Sequence, residues 1–148
     1  MASKQSTRAG NIREFEIFQT DGGKSIDASP AVTDIRYYEN VLSPTVTLSA
    51  VITETGESDK KSFGNKGMLD GLPIRGGNAS HIVIEDHEGH KLKFKTNNKL
   101  YVNRVRNVLP GTQKDVYVLD FTSRERLANE QCRVVKRYNG KILSLIHI

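Results

Sequence analysis

The sequence predicts a mainly β domain with one C-terminal helix, a β+α class in which antiparallel strands form a barrel or a sandwich. Three observations predict this class. Apolar and polar residues alternate with a period of two in several short runs. Glycine, proline or asparagine interrupts these runs about every 8–12 residues. A helical period of about 3.6 residues appears only after Ser123. The 148 residues fit a single domain.

The first strand is predicted at Arg13–Thr20, where Phe15 and Ile17 fall on one side. Residues 1–12 precede it and are polar and basic, so we expect a flexible N-terminal arm. A second extended segment follows at Ala31–Tyr38.

The clearest strand signal is the run Thr45–Thr53, which follows the break at Pro44. One face of this run is apolar and the other carries mainly hydroxyl groups, which is typical of a strand with one buried face. The polar segment Glu57–Gly67 predicts a loop. Met68–Gly77 combines apolar residues with glycine and proline, so we expect an ordered irregular connection without a helix.

A meander of four further strands is predicted from Ser80 onward. Its strands are Ser80–Asp86, Lys91–Thr96, Lys99–Val108 and Asp115–Ser123. Asn97 and Asn98 fit a tight turn within it, because asparagine tolerates positive φ. The β domain therefore spans residues 13–122.

Residues 123–142 predict a connecting helix with one apolar stripe. Thr122 and Glu125 have capping-box spacing, and Gly140 suits a C-terminal cap. Cys132 is expected to fill space beside the stripe. The last six residues, LSLIHI, match a translated sequencing adapter, so we expect residues 143–148 to be non-native read-through.

The bulk properties limit the compartment and the partners. A net charge of +5 and a pI of about 9.4 allow a polyanionic partner, but the basic residues are scattered, which favours solvated faces or subunit contacts. A single cysteine excludes an intramolecular disulfide and favours a reducing cytoplasm. The absence of a long apolar run or a signal peptide indicates no membrane insertion by this segment.

The sequence assigns no catalytic, cofactor-binding or metal-ligating residue, and the chain is expected not to be an enzyme. His87 and His90 flank a turn beside Asp86 and Glu88, which favours a polar hairpin tip over a metal site, because convergent thiolates are absent. The remaining acids with no identifiable partner are Asp70, Glu85 and Asp120. No GxSxG motif is present, and a small hydrolase is the least favoured class.

A nucleic-acid-binding β-barrel module is the main alternative. Lys91, Lys93 and Lys95 alternate with Leu92 and Phe94, so that the aromatic ring is expected to point away from the lysines and into the core. This arrangement is typical of a plain amphipathic strand.

Four segments resemble the N-terminal part of the central baseplate hub protein of T4-like contractile-tailed phages. They are VTDIRYYENVLSPTVTLSAVITETG, GLPIRGG, KLYVNRVRNVLPGTQKDVYVLDFTS and RERLANEQCRVVKRYNGKI, and the resemblance covers roughly Phe15 to Ile142. Its most specific parts are the YYENVLSPTVTL strand pair and the helix pattern of Ser123, Glu125, Asn129, Glu130, Arg133, Val134, Tyr138, Gly140, Lys141 and Ile142.

The resemblance implies a structural virion protein of the tail baseplate, assembled in the host cytoplasm. In that family, as the resemblance implies for this chain, the hub is a homotrimer with two tail-tube-like domains per subunit. These domains form a pseudo-sixfold ring that joins the tail tube to the central spike. The present β domain resembles the first of the two. The implied partners are the spike protein, tail tube or baseplate wedge proteins, and DNA passing through the lumen. The subunit contacts expected from exposure and position are Leu72, Pro73, Ile74, Arg75, Arg133 and Arg137.

Overall fold

The computed structural model describes residues 10–19, 24–55, 68, 74–111 and 114–132. Eight strands lie within them: β1 (Asn11–Phe18), β2 (Ser25–Asp27), β3 (Val32–Tyr38), β4 (Thr47–Glu54), β5 (Ala79–Glu85), β6 (Lys91–Phe94), β7 (Leu100–Leu109) and β8 (Asp115–Ser123). A 3₁₀ turn (Ser29–Ala31) joins β2 to β3, and the helix α1 (Arg124–Gln131) follows β8. The prediction of a mainly β fold with one C-terminal helix is confirmed.

The strands form one antiparallel sheet in the order β2-β1-β5-β7-β8-β4-β3, and β6 pairs with β5. Ala79 and Ser80 of β5 pair with β7, whereas residues 82–85 pair with β6. The sheet therefore divides near Ser80. The first half-sheet contains β2, β1, β5 and β6, and the second half-sheet contains β7, β8, β4 and β3.

The inner faces of the two half-sheets pack against each other through aromatic side chains. Phe15 of β1 and Phe121 of β8 have ring centroids 5.5 Å apart. Tyr37 of β3 and Phe94 of β6 are separated by 5.6 Å. Within the described residues, no backbone pairing joins β2 to β3, the two ends of the sheet. The sheet is therefore not closed, and the predicted barrel is wrong.

The alternation in β4 places its apolar side chains in the core, as predicted. Leu48, Ala50 and Ile52 are buried, and the residues between them are half-buried on the outer face. Full burial of a leucine or isoleucine side chain contributes about 1.5–3 kcal/mol. The core also contains Phe15, Ile17, Ile26, Ile82, Phe94, Leu100, Val102, Tyr117, Leu119 and Phe121.

One acid is buried on the core side of β4, which the sequence did not predict. The Glu54 carboxylate accepts hydrogen bonds from the Tyr117 hydroxyl, at 3.4 Å, and from the Met68 amide. Burial, followed by the charge of Glu54, raises the pKa of Tyr117 far above its usual value. Met68 has helical backbone, so the prediction of a helix-free segment from Met68 is wrong at that residue.

The predicted turn after β6 is present, but its conformation differs from the prediction. The positive φ of 54° belongs to Thr96, not to Asn97 or Asn98. A β-branched residue is strained in this region of backbone space. The Asn98 amide donates to the Lys95 carbonyl at 3.1 Å and closes the turn.

The helix begins one residue later than the predicted capping box requires. Thr122 is buried in β8 with its hydroxyl unpaired, and Ser123 occupies the N-cap position, so a cap by Thr122 is wrong. The helix ends at Gln131. Cys132 is extended and exposed, and it does not fill space in the core. Residues 133–142 of the predicted helix, and residues 143–148, lie outside the described residues.

No helix in the described part of the chain has both the length and the apolar content needed to cross a membrane.

Candidate interaction surfaces

The turn between β3 and β4, residues 39–46, exposes two adjacent aliphatic side chains. We call it the β3–β4 tip. Val41 is 102% exposed and Leu42 is 92% exposed. The Asn40 side-chain oxygen accepts the Leu42 amide at 2.9 Å, and its carbonyl accepts the Ser43 amide at 3.0 Å. The backbone of this turn is therefore held in place while its apolar side chains lie in solvent.

The strand beside this tip is an edge strand. Among the described strands, β3 pairs with β4 alone, so its other edge presents unpaired backbone groups. Asp34 and Arg36 form an exposed ion pair at 3.0 Å on its outer face. Charges of this kind are a common feature of edge strands that avoid indiscriminate pairing.

The outer face of the second half-sheet is a concave surface lined by four arginines, Arg36, Arg104, Arg106 and Arg126. We call it the arginine face. At its centre Asp120 accepts hydrogen bonds from Arg104 at 2.7 Å, from Arg106 at 2.8 Å and from the Ser49 hydroxyl at 2.8 Å. Burial alone would raise the pKa of Asp120, but these donors outweigh it and hold that pKa below its usual value.

A β-bulge in β7 places the two arginines of that strand, Arg104 and Arg106, on the arginine face. The register between β7 and β8 shifts between Val102 and Arg104. Val102 faces the core, so regular alternation would have turned Arg104 inward as well. The shift instead aligns Arg104 with Asp120 on the outer face, where Ser49 of β4 also pairs. Sequence periodicity missed this surface because a bulge interrupts the period of two.

The β5–β6 turn, residues 86–90, is a polar hairpin tip, as the sequence favoured. We call it the β5–β6 tip. The Asp86 carboxylate accepts the Glu88 and His90 amides at 2.9 Å and lies 3.0 Å from His90 Nδ1. Burial would raise the pKa of Asp86, but its bonds to His90 and Glu88 lower it, and Asp86 in turn raises the pKa of His90.

A second group of carboxylates and a histidine lies on the outer face of the first half-sheet. Glu14, Glu16 and His81 each place one side-chain nitrogen or oxygen within 4.8 Å of the others. The sequence did not predict this group, because its members meet only through the pairing of β1 with β5. The exposed trio of Asp86, Glu88 and His90 satisfies the same distance limit.

Most of the acids that lacked a partner in the sequence have one in the structure. Glu85 binds Arg13 at 2.9 Å and Lys91 at 3.4 Å. Asp86 and Asp120 have the partners described above, and Asp70 lies outside the described residues. The bonds from Arg13 outweigh the effect of burial and lower the pKa of Glu85.

The strand β6 has the predicted orientation, with its aromatic ring in the core and its lysines facing away. Phe94 is buried against Tyr37, while Lys91 and Lys93 are exposed on the other side. Lys95 forms an ion pair with Glu14 at 2.5 Å. Two of the three lysines of this segment are therefore paired with acids.

The predicted subunit contacts are described only in part. Ile74 is partly buried and packs against the core, whereas Arg75 is exposed. The other residues predicted to make contacts lie outside the described residues: Leu72, Pro73, Arg133 and Arg137. The assignment of these six residues to subunit contacts therefore stays a prediction.

No family model, no curated protein and no solved structure matches this chain. The hub function implied by the sequence resemblance therefore remains a proposal.

Proposed function

We propose that this chain is a structural subunit of a ring-shaped assembly, the hub of a contractile-tail baseplate, with a tail-tube-like fold and a place in the virion. The observation that carries the proposal is the β3–β4 tip, with Val41 and Leu42 exposed beside the open edge of β3. The hub itself comes from the sequence resemblance, whose most specific strand pair, YYENVLSPTVTL, contains this tip.

The β3–β4 tip has the properties of an interface anchor. Burying Val41 and Leu42 against a partner would contribute about 1.5–3 kcal/mol for each side chain. The cost of ordering the turn is reduced before binding, because Asn40 already holds its backbone. The Val46 carbonyl also accepts the Ser123 amide at 3.0 Å, which fastens the end of the tip to β8.

The edge of β3 supplies the remaining area that such an interface needs. A stable interface buries about 1,200–2,000 Å² in total, more than two side chains provide. Pairing of β3 with a strand of a neighbouring copy would add backbone hydrogen bonds and remove an open edge. A ring requires a head-to-tail interface, so β3 and its tip would contact a different surface of the neighbour. The exposed Arg75 belongs to one predicted contact segment that could receive them.

The ring can be tested by native mass spectrometry over a concentration series, with electron microscopy of the same sample. We expect a closed oligomer, three copies by the resemblance, and particles with a central channel. Added spike or tail-tube protein should bind the particles. A monomer at every concentration, with no binding to either protein, would contradict the proposal.

The arginine face favours a second candidate function, the binding of nucleic acid. Its four arginines surround a concavity that also contains Tyr38. Arg36 and Arg126 lie outside the Asp120 network and form exposed ion pairs with Asp34 and Glu130. Phosphate contacts by such arginines make affinity fall steeply with salt. The buried position of Phe94 removes the stacking surface that the lysine strand would have needed.

Fluorescence anisotropy with single-stranded DNA at several salt concentrations distinguishes the two functions. If the arginine face binds phosphate, Arg36→Gln should lower the salt slope by about 1, and Lys93→Gln on the other half-sheet should leave it unchanged. Equal slopes for both variants would exclude the arginine face as the binding site.

A further inference from the structure

We propose that Glu14, Glu16 and His81 form a binding site for a divalent transition-metal ion on the outer face of the first half-sheet. One ring nitrogen and two carboxylate oxygens from these residues lie within 4.8 Å of one another. The site does not involve the surfaces assigned to ring formation or to nucleic acid, so it stands independently of both.

The pairing of β1 with β5 builds the site. Glu16 lies directly opposite His81, and Glu14 is on the same face two residues along β1. Side chains directly opposite on antiparallel strands have Cβ atoms about 4.5–5.5 Å apart. The ring of Phe18 packs edge-on against the His81 imidazole, with centroids 4.4 Å apart, and limits its rotation. The three groups are thus held on two neighbouring strands of a regular sheet.

An unsatisfied nitrogen points to a ligand at this position. His81 is partly buried, and its Nε2 atom is shielded from solvent with no hydrogen-bond partner among the described residues. More than about 90% of buried backbone polar groups, and the large majority of buried side-chain polar atoms, have a partner in folded proteins. A neutral imidazole nitrogen is also the commonest protein ligand for metal ions. Coordination by the imidazole would restrain the ring in the orientation that Phe18 already favours.

The local charge favours a cation. Asp27 of β2 lies opposite Glu16 of β1, so this face carries three carboxylates, those of Glu14, Glu16 and Asp27. Among the described residues, Glu14 alone of these three has an ammonium partner, Lys95, at 2.5 Å, and Asp27 accepts the Ser29 amide at 2.9 Å. Neighbouring like charges on a sheet are destabilising, and a divalent ion would offset two of them. Lys95 is then a competitor of the metal for Glu14.

The ligand set selects the class of ion. One imidazole nitrogen with two carboxylates suits Zn²⁺, Mn²⁺ or Fe²⁺, whereas Ca²⁺ and Mg²⁺ prefer oxygen ligands alone. With metal–ligand distances of about 2.0–2.2 Å, the ligand atoms would need to lie roughly 3.3 Å apart. The ligand atoms, now within 4.8 Å of one another, would therefore have to move closer when the ion binds. Three protein ligands leave a fourth position for water.

Isothermal titration calorimetry with Zn²⁺ tests the site on the chelator-treated 148-residue protein. We expect one zinc ion per chain, with the Kd raised at least about tenfold in Glu16→Gln. Glu88→Gln in the exposed Asp86–Glu88–His90 group is the matched control and should leave the Kd unchanged. Circular dichroism of each variant checks that it is folded.

A variant that should gain affinity keeps the test decisive even if Glu16→Gln fails to fold. Lys95→Met removes the competing ammonium and should lower the Kd. In ¹⁵N-histidine spectra, zinc should shift the ring nitrogens of His81 and not those of His90. Absence of zinc binding, sensitivity to Glu88→Gln, unchanged or weaker binding in Lys95→Met, or a shift at His90 alone would each overturn the proposal.

Discussion

The β3–β4 tip and the β5–β6 tip are held by the same kind of hydrogen bond, from a backbone amide to a side-chain oxygen. One tip exposes apolar side chains and the other exposes polar ones. Asn40 opens the first and Asp86 opens the second, and each side-chain oxygen accepts an amide two residues further on at 2.9 Å. The two residues that follow are Val41 and Leu42 in one tip, and two polar residues in the other. Local hydrogen bonding fixes the shape of both turns, so the difference lies in what the side chains contact.

The polar tip satisfies its own side chains. His87 lies 3.5 Å from the Glu88 carboxylate, and His90 contacts Asp86. The side chains of the β3–β4 tip cannot be satisfied by polar contacts within the turn. Aliphatic side chains lose their unfavourable hydration only when they pack against other apolar surface. In the proposed ring, the adjacent exposed aliphatic side chains of the β3–β4 tip contact a partner, whereas the polar side chains of the β5–β6 tip face water.

The two hairpins meet in the core through Tyr37 and Phe94. Burial, followed by the hydrogen bond to Glu39 at 2.7 Å, raises the pKa of Tyr37 to about 12, so its hydroxyl remains a donor near neutral pH. The position of each tip thus depends on the same aromatic contact, although the tips themselves differ.

Removing this contact should have the largest effect on stability. Phe94→Ala leaves a cavity between the half-sheets and should lower the free energy of unfolding by about 3–5 kcal/mol, measured by urea denaturation. Leu92→Ala, on the same face of β6 but with a side chain that is 41% exposed, is the control and should cost less than about 1 kcal/mol. If the two variants lowered the free energy of unfolding equally, Phe94 would not contribute more to the core than Leu92 does, and the account of this contact would be wrong.

Asp120 of β8 connects β4, through Ser49, to the two arginines of β7. Asp120→Asn weakens the bonds to Arg104, Arg106 and Ser49 and should lower the free energy of unfolding by about 1–3 kcal/mol. Because the folded-state pKa of Asp120 is lowered, its contribution is present above its unfolded pKa and is lost as pH falls through the folded pKa. The variant should therefore lose less stability than the wild type between about pH 5 and pH 2. Identical acid profiles would contradict this role.

The smallest expected effect is a difference in pH response between the tips. The lowered pKa of Asp86 means that its turn weakens as pH falls through that pKa, and the raised pKa of His90 means that their contact weakens as pH rises through it. Amide exchange of Glu88 and His90 should be slowest, relative to the intrinsic rate, between the two pKa values. The Leu42 amide, bound by the uncharged Asn40, should show no such window. A matching window at Leu42 would contradict the comparison.

The period-two pattern predicted the core residues of the regular strands. It missed the groups that form at a β-bulge or through pairing of distant strands. Leu48 and Ile52 were assigned to the core because β4 alternates without interruption. Arg104 was not assigned to a surface site, because the bulge in β7 reverses its side. Glu16 and His81 are distant in sequence and become neighbours only when β1 pairs with β5.

One omission had a local signal in the sequence. Val41 and Leu42 are aliphatic residues inside a turn that ends at Pro44, a position where polar residues are usual. Apart from the resemblance, this segment predicted only a break between strands. The three residues of β2 are too few to show a period, so the alternation of apolar and polar residues did not indicate that strand.

Sedimentation velocity across a concentration series tests the central claim, that the β3–β4 tip is an interface. The decisive comparison replaces two adjacent residues with serine at each tip, V41S/L42S in one variant and H87S/E88S in the other. We expect the wild type and H87S/E88S to associate alike, and V41S/L42S to have a Kd for association at least about tenfold higher, with its unfolding curve unchanged. Association of V41S/L42S equal to that of the wild type would contradict the account.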